Sequence, residues 1–553
     1  MARFRQAMID PENIFLDSQN MAEFDTAHFE GRVEKPVAPS ALYAIGVVFL
    51  IAAALFLYKM FDLQIVQGAQ YALAAQENTL AYSLVFAERG ILYDRTGKEL
   101  AWNEPGEYFA RRAYSLLPGL AHVLGYVQYP KADGSGLWWR TEYAGIAGAE
   151  KAFDRELSGI NGKEMVEVDA HGAVARGHVV EQPQDGQSLR LSIDAEVQSK
   201  LHTTMAAHAA NNRFQGGAAV IMDVRTGELL ALTSFPEFTP QPLVDGDSEK
   251  VAAFANDPAK PFLDRAISGV YTPGSIVKPL FAAAALAEGI ISPDKSIFSP
   301  GYITIPNPYH PELPTIMKDW RAHGWTTMRK AIEVSSDVYF YSIGGGYEDQ
   351  KGLGITKLDE YALRFGLGKE TGVPLEGEVV GTIPTPAWKK EIFGADEEWR
   401  LGDTYNTSIG QYGFQVTPIQ MARAIASIAN GGTLLTPQLH ASSTAQGTDI
   451  GIDAAQLKII REGMRQAVAG DAGTARALNI SGIHIAGKTG TAELGNRKQY
   501  MNSWVVGFWP MENPRYSFAV VLEHAPAGTL SGASPGMRGF FEWLVATKPE
   551  YVQ

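Results

Sequence analysis

A run of 18 residues without a charge, "ALYAIGVVFLIAAALFLY" at 41–58, constrains this chain more than any other feature. At about 1.5 Å per residue, a helix over it is roughly 27 Å long, close to the hydrocarbon thickness of a bilayer. The run starts too far into the chain for a cleaved signal peptide, whose apolar core follows a short basic lead. Arg32 and Lys35 precede it, Lys59 ends it, and no Lys or Arg then appears before Arg89. The positive-inside rule therefore puts the N-terminus in the cytoplasm. The expected order is a cytoplasmic tail (1–40), one transmembrane helix (41–61), and everything after it outside the cell membrane.

Composition narrows the function classes. The formal net charge of −14 argues against nucleic acid, which calls for a basic face. Cysteine is absent, so disulfides, thiolate metal sites and a Cys nucleophile are excluded, as suits an extracytoplasmic protein.

The outer part divides by texture. Residues 62–186 are mixed and Gly-punctuated, and "VEQPQDGQ" at 180–187 reads as a linker. After it comes a short strand leading through Asp194 into a helix, then a hairpin turning at Arg225-Thr226-Gly227. "GIHIAGKTGTAEL", "NSWVVGFWP" and "RYSFAVVLEHA" read as three more strands, with helices and loops filling 260–480. The expected fold class is α+β: one five-stranded antiparallel sheet built from both ends of residues 187–553, flanked by helices.

"VYTPGSIVKPLFAAAALAEG" at 270–289 carries the first chemical signal. Apolar residues on every side of this pattern predict a helix buried all round. Ser275 and Lys278 lie one turn apart at its start. A lysine there is desolvated, which makes a neutral amine available to take the serine proton. The helix N-terminus supplies N–H groups suited to an oxyanion. A second Ser-x-x-Lys, Ser292 to Lys295, flanks Pro293 in a connection where nothing is buried.

Two further motifs follow in order. "VSSDVYFY" offers Ser335 and Asp337 at a junction between helices, and "GKTGTAEL" offers Lys488, Thr489 and Thr491 in a strand. Gly487 and Gly490 there let another backbone approach closely. Each motif alone is weak; the three in this order, in three compatible contexts, are jointly strong.

Together they resemble the motifs of the penicillin-recognising serine enzymes. "RGILYDRTG", "GIAGAEKAFDRELSG" and "TSIGQYGFQVTPIQMARAIASIANGG" make the chain similar to a class B penicillin-binding protein, a monofunctional peptidoglycan D,D-transpeptidase. "SPGYITIP", "DWRAHGW" and "LGDTYNTSIG" are most similar to the elongation-type group, penicillin-binding protein 2. The resemblance implies a penicillin-binding/transpeptidase fold on an elongated, non-catalytic, dimerisation-type pedestal, residues 62–186. It implies Ser275 as nucleophile, Lys278 as base and Ser335 as proton relay. Lys488 and Thr489, with Thr491, would hold the donor carboxylate, and Asp337 would also touch substrate. The backbone N–H groups of Ser275 and Thr491 would form the oxyanion hole. No cofactor and no metal are implied. The implied partners are peptidoglycan stem peptides, β-lactams, the membrane, and elongation-complex membrane proteins, including a SEDS-family glycan polymerase similar to RodA.

Two departures stand out. The middle motif commonly ends in Asn, and Asp337 when ionised only accepts hydrogen bonds. "SIGQYG" puts Tyr412 where the family more usually has Gly. His310, Asp319 and His323 lack tight ligand spacing and read as loop packing. Trp504, Phe508 and Trp509 read as core, and Arg89, Asp94 and Arg95 as turn and ion-pair residues. Alternatives in other roles are a division-type enzyme with the same chemistry, or a β-lactam sensor or scaffold. The segment at 298–326 argues for the elongation type.

Overall fold

The structure, a computed structural model, describes residues 38–553 apart from 78–79, 135–136, 169–173, 308–309, 311, 442–443 and 496. The expected cytoplasmic tail lies, up to residue 37, outside the described residues. The chain divides into two units. In the first, helix α1 (Pro39–Phe61) runs through a π-helical turn, Asp62–Val66, and is followed by α2 (Gly68–Glu77). Its large side chains stay exposed: Phe49 keeps 72% and Phe56 76% of its surface. Among the described residues, Pro39–Val66 is the one helix long and apolar enough to cross a membrane.

The second unit, Ser83–Glu164 with Val179–Gln553, holds the sheet domain and most of the expected pedestal; residues 62–82 and 165–178 of that stretch fall in the first unit. In the pedestal part, strands Leu92–Tyr93, Glu99–Glu104 and Arg111–Tyr114 form an antiparallel meander. Asp94 makes its turn by accepting from the N–H groups of Thr96 and Lys98, both at 2.8 Å. The short strand expected at the start of the sheet domain, Leu189–Arg190, instead pairs parallel with Leu92–Tyr93 and completes this pedestal sheet. Arg89 and Arg112 close on Glu150 at 2.6 and 2.7 Å, with all three side chains out of water. Arg95 meets Glu228 at 2.6 Å, joining pedestal to sheet domain. Arg89, Asp94 and Arg95 are thus turn and ion-pair residues, as expected.

Beyond the pedestal, Asp194 caps α3 (Ala195–Asn211), accepting from the N–H groups of Glu196 and Val197. The hairpin follows as β1 (Gly216–Asp223) and β2 (Leu229–Phe235). The helical middle contributes α4 (Lys278–Ala287), α5 (Met328–Val334), α6 (Asp337–Gly345), α7 (Pro418–Ala429) and α8 (Ala454–Ala469). The C-terminal strands are β3 (Ala486–Leu494), β4 (Tyr500–Trp509) and β5 (Tyr516–Pro526), before α9 (Ala533–Thr547). They assemble in the order β2-β1-β5-β4-β3, antiparallel throughout. This is the five-stranded sheet read from the sequence.

Alternation along the strands sorts side chains into two cores. Ala218, Val220, Trp504, Val506 and Phe508 pack with α4 and α7 on one face. Ala219, Ile221, Val505 and Trp509 pack with α3 and α9 on the other. Trp504, Phe508 and Trp509 are all fully buried, so they are core, though on opposite faces. Helix α4 is buried along its whole first nine residues, Lys278 included.

Candidate active site

Three segments of very different sequence position meet at the start of α4. The sequence suggested one helix from Ser275; the chain instead makes a 3-10 turn, Gly274–Val277, and becomes α-helical at Lys278. Gly274 holds a left-handed φ of +57° that ends the Pro-Gly turn. Ser275 is only half-buried on this turn, while Ile276, Val277 and Lys278 point into the core. Pro279 is at the second helical position, where its missing N–H costs nothing.

The turn is pressed between two backbones. β3 is the edge strand of the sheet, so one row of its N–H and C=O groups is unpaired by strands. A side chain on Gly490 would meet the Pro273 carbonyl oxygen at 2.7 Å, and one on Gly274 would meet the Thr491 carbonyl oxygen at 2.6 Å. On the other flank the Gly274 N–H donates to the Gly410 carbonyl at 2.9 Å. The close approach expected at Gly490 is present. At Gly487 the nearest atom is the Val506 oxygen of the neighbouring strand, at 3.2 Å.

Ser335 lies between two helix ends. It ends α5 in the left-handed conformation (φ 59°, ψ 41°), and Ser336 then caps α6 with its hydroxyl. That single reversed residue turns the Ser335 hydroxyl towards both lysines. Lys488 Nζ donates to Ser335 Oγ at 2.8 Å and to the Thr489 carbonyl at 2.8 Å. Lys278 Nζ donates to the Ser335 carbonyl at 2.8 Å, to Ser335 Oγ at 3.3 Å and to Asp337 Oδ1 at 2.5 Å. Both lysines are completely buried.

Two ammonium groups and one carboxylate leave the site with more positive charge than it can balance. Burial, and then the charge of Lys278, push the Lys488 amine well below the ordinary lysine range against the pull of Asp337. Burial pushes the Asp337 carboxyl up, and the Lys278 ammonium opposes it. The sequence argument put a desolvated amine at Lys278; the structure buries that lysine and gives it a carboxylate counter-ion.

The structure therefore brings Lys278, Ser335, Asp337 and Lys488 into one hydrogen-bonded group at the end of the turn that carries Ser275. Thr489 and Thr491 sit on β3 beside it, Thr491 exposed. Sequence reasoning missed Thr474, whose hydroxyl lies 2.9 Å from that of Thr489. Gln411, which precedes the Tyr412 departure, donates to the Thr491 carbonyl at 3.5 Å. Tyr412 takes a φ of 64° and packs against Trp388, Phe393 and Trp399. His310 is an exposed residue paired with Glu312, whereas Asp319 and His323 bond to each other at 3.3 Å.

A Ser-x-x-Lys turn, a Ser-x-Asp junction and a Lys-Thr-Gly edge strand on this sheet define a class. The family model described as penicillin binding protein transpeptidase domain matches residues 217–539, and that described as penicillin-binding protein dimerisation domain matches 107–191. The chain belongs to the penicillin-binding protein transpeptidase family, whose members are serine-type enzymes. Within it, the chain is 33% identical to the peptidoglycan D,D-transpeptidase MrdA of Acinetobacter baumannii, over 77% of this chain and 65% of that protein. It is 31% identical to MrdA of Escherichia coli K12, over 77% of this chain and 70% of that one. Among solved structures it is similar to a chain of a peptidoglycan synthase complex that coordinates polymerization and crosslinking. The TM-score is 0.72 and the identity 27%, over 92% of this chain and 99% of that one. The likeness is to the elongation-type peptidoglycan D,D-transpeptidases, and the chain is one of them.

Proposed function

We propose that Ser275 is the acylated residue of this transpeptidase and that the hydrogen-bonded group at the end of its turn moves the protons. Ser275 Oγ attacks the penultimate D-alanine carbonyl of a donor stem peptide. The C–O bond forms as the C–N bond breaks, and the terminal D-alanine leaves with its nitrogen. Lys278 takes the hydroxyl proton and hands it to Ser335, which passes a proton to the departing nitrogen, so that Lys278 is neutral again. An amine of a neighbouring stem peptide then attacks the ester and forms the new amide, and the proton it loses to Lys278 is returned to Ser275 Oγ as the ester bond breaks. Lys488, with Thr489 and Thr491, takes the donor carboxylate, whose negative charge favours the ammonium form that burial disfavours. The N–H groups of Ser275 and Thr491 serve the oxyanion. Asp337 acts on substrate through Lys278. β-Lactams enter as donor mimics and acylate Ser275.

The observation that carries this reading is the Ser335 hydroxyl, shared by Lys278 and Lys488 from segments 57 and 153 residues away. Such a hydroxyl can relay a proton in either direction. The apolar helix anchors the protein in the cell membrane, with the N-terminus cytoplasmic and the sheet domain outside. Residues 62–186 act as pedestal and 187–553 as transpeptidase. The likeness to a synthase that couples polymerization to crosslinking supports a membrane glycan polymerase of the SEDS type, similar to RodA, as partner. Fluorescent penicillin on the detergent-solubilised chain tests the centre of this reading. A stable adduct absent from Ser275→Ala is expected; equal labelling of that variant would place the nucleophile elsewhere.

A further inference from the structure

We propose that Asp319 and Trp320 are positioning residues for this reaction, a clamp that holds Ser335 in its left-handed conformation. The argument starts from a carboxylate that the chemistry above does not use. The Asp319 side chain is fully buried, yet every acceptor site on it is taken. Oδ2 accepts from Ser336 Oγ at 2.9 Å, from the Val338 N–H at 3.0 Å and from Ser299 Oγ at 3.2 Å. Oδ1 accepts from the Trp320 N–H at 2.8 Å and from His323 Nε2 at 3.3 Å. Burial alone would raise its pKa, but His323, the N–H groups of Val338 and Asp337 and the charge of Lys278 together hold it at about 2.

The next residue reaches the other side of the same junction. Trp320 Nε1 donates to the Val334 carbonyl at 3.2 Å, an acceptor that α5 leaves open at its C-terminus. Val334 precedes Ser335; Ser336 and Val338 follow it. Two adjacent residues thus grip the chain on both sides of the one residue whose backbone is reversed. A left-handed serine is unfavourable unless its surroundings fix it. Without the grip, the junction relaxes and the Ser335 hydroxyl swings away from both lysines. Tyr341 ties the same segment down once more, its hydroxyl donating to the Lys318 carbonyl at 3.1 Å. The segment 298–326 is therefore part of the catalytic geometry rather than a surface ornament.

This inference rests on the relay role of Ser335, so that role is tested beside it. The rate constant and the saturation constant for acylation by fluorescent penicillin are measured separately on the full-length chain in detergent. The variants are Asp319→Asn, Trp320→Phe and Ser335→Ala. Trp320→Phe deletes one hydrogen bond from a half-exposed ring, so it decides the matter if Asp319→Asn does not fold. The expected result for both clamp variants is an acylation rate constant lower by on the order of tenfold or more, with saturation little changed. A smaller labelled fraction reacting at the wild-type rate would mean a merely structural role and overturn the clamp. Wild-type rates in Trp320→Phe would overturn it too. If Ser335→Ala itself acylates at the wild-type rate, the relay reading falls and the clamp with it; if only that variant is slow, the clamp alone falls.

Discussion

Asp337 accepts a hydrogen bond from Lys278 at 2.5 Å, and the lysine that makes it has no exposed surface. The residue that departs from the commoner Asn of the middle motif is thus the counter-ion of the proposed base. An Asn there could accept the bond but could not balance the charge. In this site the difference matters, because a second lysine, Lys488, donates to the same serine hydroxyl.

Asp337→Asn therefore removes the carboxylate that pairs with Lys278. Two buried lysines then donate to one serine hydroxyl with no anion beside them. Acylation should slow by on the order of tenfold or more, although the variant should still react with penicillin. Rates of adduct formation check this, and an unchanged rate would mean that Asp337 does not govern the proposed base.

Gly490→Ala should disable the site without touching a proton-transfer group. Its Cβ would fall 2.7 Å from the Pro273 oxygen and 2.8 Å from Ile276 Cγ2, on the turn that carries Ser275. Backbone cannot yield as a flexible side chain does, so β3 and the turn must part. Overpacking of this kind costs about 1–3 kcal/mol, and a displacement of Ser275, the proposed nucleophile, slows chemistry by on the order of a hundredfold. Thermal unfolding and penicillin labelling measured together test it. Normal labelling with normal stability would show that the turn has room to spare.

Much of this architecture is legible in the sequence, for reasons that also explain what is not. The five sheet strands announce themselves because each face of the sheet has a core, so alternation is sustained from Gly216 to Pro526 wherever a strand runs. Helix α4 is legible because nothing polar follows Lys278 before Glu288. Ser335, Lys278 and Lys488 are found by order and spacing of motifs. The strand Leu189–Arg190 is legible but its pairing is not, since a parallel partner 97 positions away leaves no local trace. The 3-10 turn under Ser275 escapes, as its pattern is that of the helix it precedes. Asp319 is misread because a buried carboxylate that satisfies backbone and hydroxyl donors has no spacing of its own. Only the pairing of α6's N-terminus with a distant loop reveals its task.

The pedestal offers a test independent of catalysis. Glu150 is the single anion between the buried guanidinium groups of Arg89 and Arg112, with Asp154 a further partner of Arg89 at 2.7 Å. Glu150→Gln keeps the shape but leaves two buried cations facing a neutral amide. Removing one member of a buried ionic group costs about 3–5 kcal/mol. Urea unfolding of the detergent-solubilised chain, followed by tryptophan fluorescence, should show an early transition in this variant. An unchanged transition would mean that water or Asp154 already neutralises the pair.

Glu237 gives a pH signature of known sign at the junction of pedestal and sheet domain. Its carboxylate accepts from the N–H groups of Gly119 at 2.6 Å and Ala121 at 3.1 Å, and burial nonetheless pushes its pKa up to about 7. His202 lies 3.8 Å away, with its own pKa lowered to about 4, chiefly by burial and then by His122, so it brings no compensating charge near neutrality. Because the folded pKa is above that of the unfolded chain, the fold keeps a proton that the unfolded chain releases. The group's contribution is therefore intact below about pH 4.5 and turns against the fold as pH rises through 7. By pH 8 the loss is on the order of 3 kcal/mol. Glu237→Gln keeps an acceptor for both N–H groups and cannot ionise. The variant's advantage over the wild type should be small at pH 5 and grow to a clearly higher unfolding temperature at pH 8. A difference in unfolding temperature that is the same at pH 5, 6.5 and 8 would mean that Glu237 does not titrate in this range.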